Sequence, residues 1–188
     1  MPLIFVQSDA VGPCAALSTH CAVGTASSSR VARQCTVGGT PGVTQNTPTL
    51  EAAAVDFRQI WYECEVPAGT YWEAGDWTIR MNVTTANADV QWKSAHICRI
   101  SSGCINQATI GSNTAVNITL NTTGVKTVVI SGSAQAPAPG DKVMILLGFT
   151  DLTSKGTETW GLTPNQNIDS PLKAVLDPVG AGVVPNPR

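Results

Sequence analysis

Residues 75–85 read Gly-Asp-Trp-Thr-Ile-Arg-Met-Asn-Val-Thr-Thr, and from residue 77 onward apolar and polar side chains alternate strictly. Successive side chains of a β-strand point to opposite faces, so this pattern predicts a strand with one face on a hydrophobic core. The side chains that we expect in the core are Trp77, Ile79, Met81 and Val83. Those that we expect on the more exposed face are Thr78, Arg80, Asn82 and Thr84.

Further strands are predicted around this segment, each ending at turn-forming residues. They cover residues 57–66, 90–100, 105–110, 116–120, 125–131, 142–149 and 159–162. The run 142–149 is almost continuously apolar, which predicts a central strand buried on both faces. Short strands at this spacing are typical of β-sandwiches and jelly rolls. We therefore predict an all-β fold, an antiparallel β-sandwich of jelly-roll type.

The composition excludes several classes of protein. The chain has 188 residues, with 11 Lys and Arg against 13 Asp and Glu, so its formal net charge is −2. Charged residues make up 13%, about half the roughly 25% of a typical soluble domain. A coiled coil would need more Glu and Lys, and a protein that neutralises phosphates would need a basic excess. No apolar run approaches the roughly 18 residues of a membrane-spanning helix. We expect neither nucleic acid nor a membrane as a partner.

The first fifty residues differ from the rest of the chain. They hold only three charged residues, Asp9, Arg30 and Arg33, and show no sustained period. Such a segment cannot bury enough apolar surface to fold alone. It is either an arm that lies on another protein or a long loop wrapped over its own domain. We divide the chain into an irregular arm (1–50), a sandwich domain (51–163) and a Pro-rich tail (164–188), and we expect residues 51–188 to stay folded without the arm.

The candidate anchors of the arm are Leu3, Ile4, Phe5 and Val6. An extended apolar segment of this kind can add a strand to the open sheet edge of a neighbouring molecule. The run is too short for a secretory signal and lacks a basic region before it. We therefore expect the protein to be used where it is made.

The six cysteines leave three interpretations open. They are Cys14, Cys21, Cys35, Cys64, Cys98 and Cys104. His20 and the first three could be drawn as a zinc site, but the spacing lacks a paired Cys-x2-Cys. A disulfide in the same stretch is the second interpretation, and small buried thiols, which we favour, are the third. We do not expect Cys98 to bond Cys104, because Gly103 centres the turn between them in the wrong register.

Few side chains in the sequence suit catalysis. Only two histidines are present, and His96 falls on the predicted strand 90–100, on the same face as Trp92 and Cys98. Glu63 and Glu65 share a strand face, as paired carboxylates of glycosidases can, but we favour a solvated strand edge. The carboxylates at predicted strand ends, which we expect to cap turns rather than to bind calcium, are Asp76, Asp89, Asp141 and Asp151. We predict a protein that is not an enzyme and has no catalytic residues, metal or cofactor.

Trp72 is the best candidate for an exposed aromatic side chain, because it lies in the predicted turn 70–73. An exposed tryptophan on a β-sandwich can stack on a sugar ring or contact a protein partner.

The segment from Gly75 to Asn87, continued through Trp92 and His96-Ile-Cys-Arg99 to Gln107-Ala-Thr-Ile-Gly111, resembles small β-sandwich proteins of tailed bacteriophages. These include head decoration (cement) proteins and other virion surface components. The resemblance covers about a third of the chain. It implies trimeric jelly rolls seated on a capsid, with terminal arms that grip neighbouring capsid subunits.

The function predicted from the sequence is therefore that of a non-enzymatic structural virion protein, made in the host cytoplasm. Its expected partners are the major capsid protein, or another virion protein, and further copies of itself, with a trimer favoured. The alternative is a carbohydrate-binding sandwich, such as a receptor-binding or tail-associated module.

Overall fold

The computed structural model describes residues 4–7, 14, 30–37, 49–50, 58–66, 70–153, 158–163 and 167–174. Residues 4–7, 30–37, 49–50 and 58–62, and several residues beyond 157, are described by their backbone alone.

The described residues form fifteen β-strands and no helix, which confirms the all-β prediction. The strands of the first half are β1 (Ile4–Gln7), β2 (Arg30–Val37), β3 (Thr49–Leu50), β4 (Arg58–Glu65), β5 (Thr70–Trp72), β6 (Gly75–Thr85) and β7 (Val90–Ile100). Those of the second half are β8 (Asn106–Asn113), β9 (Ile118–Thr119), β10 (Gly124–Gly132), β11 (Lys142–Asp151), β12 (Glu158–Thr159), β13 (Gly161–Thr163), β14 (Asn167–Asp169) and β15 (Leu172–Ala174).

Eleven of these strands belong to one sheet. Nine follow the order β10-β6-β14-β1-β2-β4-β11-β7-β8, while β13 also pairs with β6 and β9 also pairs with β7. The pairs are antiparallel, apart from the parallel pair of β2 and β4. Two further small sheets pair β12 with β3 and β15 with β5. This order establishes a large, mainly antiparallel sheet, whereas the jelly-roll topology stays a prediction.

The sheet folds back on itself around one hydrophobic core. β8 and β10, at the two ends of the strand order, come together where the Ser133 N–H donates to the Ile110 carbonyl at 2.8 Å. The core therefore packs side chains of β6 and β10 against those of β7 and β11. Its members from these four strands are Trp77, Ile79, Met81, Val83, Val90, Trp92, Ala95, Ile97, Val128, Ile130, Val143, Ile145, Leu147 and Phe149.

The alternation predicted for β6 is confirmed. Trp77 and Ile79 are fully buried, and Met81 and Val83 are at most 4% exposed. The intervening polar side chains are only partly buried, so β6 has one face on the core. The predicted double burial of β11 is also observed. Its other face carries Met144 and Leu146, which form a second cluster with Cys14, Cys98 and Ile100.

A β-bulge divides the faces of β7, and it corrects the prediction that Trp92, His96 and Cys98 share one face. The register with β11 shifts between Gly148 and Phe149, so that Phe149 lies opposite Trp92 while Gly148 lies opposite Ser94. The extra residue reverses the direction of the side chains that follow it. Trp92 therefore faces the main core, whereas Cys98 belongs to the second cluster.

Parts of the predicted arm and tail lie inside the main sheet. β1 and β2 from residues 1–50 and β14 from residues 164–188 form consecutive strands between β6 and β4. β15 pairs with β5 through the register of Leu172 with Trp72. The described parts of the two terminal segments therefore belong to the same sheet system as residues 51–163.

Candidate interaction surface

The predicted arm anchors lie on an internal strand. Ile4, Phe5 and Val6 belong to β1, and Leu3 lies outside the described residues. On one side Phe5 pairs with Ile168 of β14, and on the other side it pairs with Val37 of β2. Both backbone edges of β1 are therefore occupied within the chain, which favours the wrapped-segment interpretation over strand addition to a neighbouring molecule.

Trp72 is buried, and the prediction of an exposed aromatic at this position is wrong. Its side chain is only 1% exposed. The predicted turn is a strand, β5, which pairs with β15 and exchanges two backbone hydrogen bonds with Gln135, at 3.1 and 2.9 Å. The strand directs the indole inward, where it meets the Trp77 ring edge-on with centroids 6.2 Å apart.

The other tryptophans whose side chains are described lie equally deep. Trp77, Trp92 and Trp160 are fully buried. Phe149 joins two of them into one aromatic group, with ring centroids 6.3 Å from Trp92 and 5.3 Å from Trp160. For Trp61 the structure describes only the backbone. The described tryptophans therefore act as core residues and not as a stacking platform for sugars.

His96 lies on the face of β7 that also carries Cys98, opposite Leu146 of β11 and Ser112 of β8. It is 6% exposed. Burial lowers the pKa of the His96 imidazole from its ordinary value of 6.5, because a charged ring would lose its hydration. The ring therefore has the apolar side chain of Leu146 as its neighbour across the strand pair.

Glu63 is also buried, contrary to the predicted solvated strand edge. Its carboxylate is 1% exposed, and the Cys14 N–H donates to both of its oxygens, at 2.9 and 3.0 Å. Glu65, two residues further along, is exposed at the end of β4. The two carboxylates therefore have different environments, and Glu63 serves to fix the backbone of the N-terminal segment to β4.

Two carboxylates at strand ends hold turns, as predicted for these positions. Asp141 accepts the Ala138 N–H at 2.9 Å and lies 3.5 Å from the Arg99 Nε. Asp151 accepts the Thr153 N–H at 2.7 Å. Within the described ranges, no three His, Cys, Asp or Glu side chains are grouped to hold a metal ion.

The cysteines are oxidised where the structure describes them, which corrects the preferred interpretation of buried thiols. Cys14 bonds Cys104 across a sequence separation of 90 residues. Cys64 and Cys98 are disulfide-bonded as well. Spacing could not reveal the Cys14–Cys104 bond, because it joins the N-terminal segment to the β7–β8 turn only once the sheet has formed. Cys104, and not Gly103, takes the left-handed backbone conformation in that turn, with φ of 65°.

The outer face of the paired strands β6 and β10 is the most distinctive exposed surface among the described residues. Val125 and Val129 project from β10 and are each 50% exposed. Thr127 lies between them on the same face, and Asn82, Arg80 and Thr78 stand opposite these three residues on β6. Further along the same face, the Ser131 hydroxyl donates to the exposed Asp76 opposite it, at 2.7 Å. The surface therefore combines apolar and uncharged polar side chains with one basic and one acidic residue.

A shallow, open depression of about 560 Å³ lies beside β5. Its lining consists of Tyr71, Trp72, Glu73, Ala134, Gln135 and Ala136. Tyr71 and Glu73 are its only ionisable residues, so the depression offers apolar contact area but no nucleophile paired with a base.

Within the described part of the chain, there is no helix long and apolar enough to cross a membrane.

No family model matches the chain, and no curated protein matches it. Among solved structures, the chain is similar to the crystal structure of a CocE/NonD family hydrolase from Staphylococcus aureus. The TM-score is 0.50 at 8% sequence identity, and the match covers 73% of this chain and 34% of the hydrolase chain. The chain thus spans about a third of the hydrolase's length. At this identity the similarity concerns the fold alone.

Proposed function

We propose that this chain is a non-enzymatic structural protein of a virion, a decoration protein that binds the outside of a phage head and stabilises it. The observation that carries the proposal is the outer face of the paired strands β6 and β10, where exposed valines and uncharged polar side chains outnumber the charged ones. Protein interfaces favour such surfaces, because few charges must be desolvated when a partner binds.

The disulfides support a protein that functions outside the cell. Cys14–Cys104 and the bonded Cys64 and Cys98 are a form of stabilisation that persists in oxidising surroundings and is rare in the cytosol. A decoration protein made in the host cytoplasm would meet such surroundings once particles are released. Its cross-links would then hold the fold on the particle surface.

The proposed partners are the major capsid protein, or another virion protein, and further copies of the chain. The threefold assembly that the sequence resemblance implies stays a prediction. The carbohydrate-binding alternative loses its main support, because Trp72 is a core residue.

Particle binding tests this function. Heads purified from a phage that lacks the gene for this chain are mixed with increasing amounts of the oxidised full-length protein and sedimented. We expect the protein to co-sediment and to saturate at a fixed ratio to the major capsid protein. If it stays in the supernatant at every ratio, the proposal is wrong.

The non-enzymatic part of the proposal needs a separate test, since the structural similarity is to a hydrolase. We expect the purified protein to give no turnover of small ester or glycoside substrates above background. Turnover that disappears in both His96→Ala and Glu63→Gln, while the variants stay folded, would overturn it.

A further inference from the structure

Two buried cysteines, Cys64 and Cys98, are disulfide-bonded, and neither belongs to the bond between the N-terminal segment and the β7–β8 turn. That bond uses two of the six cysteines of the sequence. The partners of Cys64 and Cys98 are therefore each other, Cys21 or Cys35. A disulfide joins Cα atoms that lie about 4.4–6.8 Å apart, so the positions of the strands decide between these pairings.

Cys64 and Cys98 are too far apart to bond each other. Cys64 lies on β4 and Cys98 lies on β7, and β11 runs between these two strands. Two strand spacings of about 4.8 Å separate the cysteines by about 10 Å, which a disulfide does not span. Their side chains also lie on different sides of the sheet, because Cys64 packs in the main core and Cys98 packs in the second cluster.

Cys35 is the backbone position directly opposite Cys64. β2 and β4 run parallel, and their register pairs Cys35 with Cys64. Adjacent strands lie about 4.8 Å apart, which is within the range of Cα distances that a disulfide spans. Opposite positions of two paired strands share a face of the sheet, so the position of Cys35 lies on the main-core face, as Cys64 does.

Cys98 is out of reach of Cys35. Three strand spacings, from β2 through β4 and β11 to β7, put the two positions about 14 Å apart along the sheet. Cys98 also lies opposite Met144 in the second cluster, on the other face of the sheet from the position of Cys35. The partner that is left for Cys98 is Cys21. Cys14, which precedes Cys21 closely in the sequence, lies in the same second cluster.

We propose that the chain carries the disulfides Cys35–Cys64 and Cys21–Cys98 in addition to Cys14–Cys104. In this pattern, each bond joins a cysteine of the first fifty residues to β4, to β7 or to the β7–β8 turn. One bond lies on the main-core side of the sheet, and the other two lie on the side of the second cluster. The N-terminal segment is thus cross-linked to both sides of the sheet, and the pattern does not depend on what the chain binds.

Peptide mapping of the oxidised full-length protein tests this pattern. Free thiols are blocked with N-ethylmaleimide in denaturant at mildly acidic pH, where few thiolates are present to exchange disulfides. The chain is then digested with trypsin without reduction. Cleavage after Lys and Arg distributes the cysteines over the peptides 1–30, 34–58, 59–80, 94–99 and 100–126, of which only the first contains two. Mass spectrometry identifies the peptides that are joined.

We expect peptide 34–58 to be joined to peptide 59–80, and peptide 1–30 to carry both 94–99 and 100–126. A map that joins 34–58 to 94–99, or 59–80 to 94–99, would overturn the proposed pattern. The pattern is also wrong if N-ethylmaleimide labels a cysteine in most of the molecules.

Paired serine substitutions give a second readout, the number of free thiols in denaturant. Cys35→Ser/Cys64→Ser removes both members of one proposed bond and should leave no free thiol. The matched variant Cys21→Ser/Cys64→Ser removes one member of each of two bonds. It should leave two free thiols, since the positions of Cys35 and Cys98 lie too far apart to pair. Two free thiols in the first variant, or none in the second, would contradict the proposed pairs. The map of the wild type decides if either variant fails to fold.

Discussion

Two glycines allow β8 and β10 to approach each other closely. A Cβ atom on Gly111 would lie 2.6 Å from the Ser131 carbonyl oxygen and 2.9 Å from the Ile130 Cγ2. A Cβ atom on Gly132 would lie 2.8 Å from the Trp77 Nε1 of β6 and 3.0 Å from the Ile110 Cγ2 of β8. Real Cβ atoms do not tolerate such distances, so both positions need glycine for the two ends of the sheet to meet.

Gly111→Ala should therefore destabilise the protein by about 1–3 kcal/mol, the usual cost of overpacking a core. The obstacle is partly backbone, so a rotamer change cannot relieve it. The matched control is Gly103→Ala in the β7–β8 turn, where the nearest atom to a new Cβ would be the Ser101 Oγ at 3.8 Å. Denaturant titration of both variants measures the difference, and equal midpoints would contradict this account of the β8–β10 contact.

His96 should make stability fall as the pH decreases below about 6.5, the ordinary pKa of histidine. Its pKa is lowered in the folded state by burial, so below the ordinary value of 6.5 the unfolded chain binds more protons than the folded one. The contribution of His96 to stability is then fully present above pH 6.5 and is lost as the pH falls from there toward the lowered pKa of the folded state.

The measurement is the free energy of unfolding at a series of pH values for the wild type and for His96→Gln. The variant should lose most of the pH dependence, while His20→Gln serves as the control for the other histidine. If the free energy of unfolding changes with pH equally in the wild type and in His96→Gln, burial of the neutral imidazole is not the cause of the pH dependence.

At the scale of single residues, the sequence predicted core positions better than turn and cap positions. Side chains such as Ile79 were found from alternation, since burial follows directly from the period of a strand. Cys104 in the left-handed conformation and Glu63 under the Cys14 N–H were not predicted, because both depend on where a distant segment passes. Trp72 was misassigned because its strand pairs with β15, about 100 residues away in the sequence.

At the scale of elements, β6 is the strand whose two faces differ most clearly. Ile79→Ala should cost about 2–5 kcal/mol, because it removes a fully buried side chain from the main core. Thr78→Ala, on the partly exposed face of the same strand, should cost less than about 1 kcal/mol.

Thermal or denaturant unfolding of the two variants measures this contrast. Comparable losses of unfolding free energy in Ile79→Ala and Thr78→Ala would contradict the assignment of the core to one face of β6.

The strands with strict patterns were predicted almost to the residue, whereas the relations between strands were not. β7 spans Val90–Ile100 as expected, but its bulge follows from its partner β11 and has no signature in its own sequence. The short strands β14 and β15 have three residues each, too few for a period to be recognised. Their pairing depends on strands that lie far away in the chain.

At the scale of the whole molecule, the N-terminal segment is part of the main sheet. β1 and β2 lie between β14 and β4, and Cys14 is bonded to Cys104. We therefore expect a chain of residues 51–188 to lose its cooperative unfolding transition, which reverses the expectation from sequence. The segment looked irregular because most of what its strands pair with lies elsewhere in the chain.

Near-ultraviolet circular dichroism and a thermal scan of the truncated chain test this expectation. Cys14→Ala/Cys104→Ala in the full chain is the control, because it removes the cross-link and keeps both strands. The control should retain the fold with reduced stability, since the bond closes a long loop. A truncated chain that unfolds as cooperatively as the full chain would restore the interpretation of an independent arm.

The central claim, that this chain is a structural component of the outer surface of a phage head, is tested most directly by cryo-electron microscopy of heads purified with and without it. The account predicts additional density on the outside of the capsid, at symmetry-related positions, into which this β-rich domain fits, and no such density on heads that lack the chain. Identical reconstructions of the two kinds of head would contradict it.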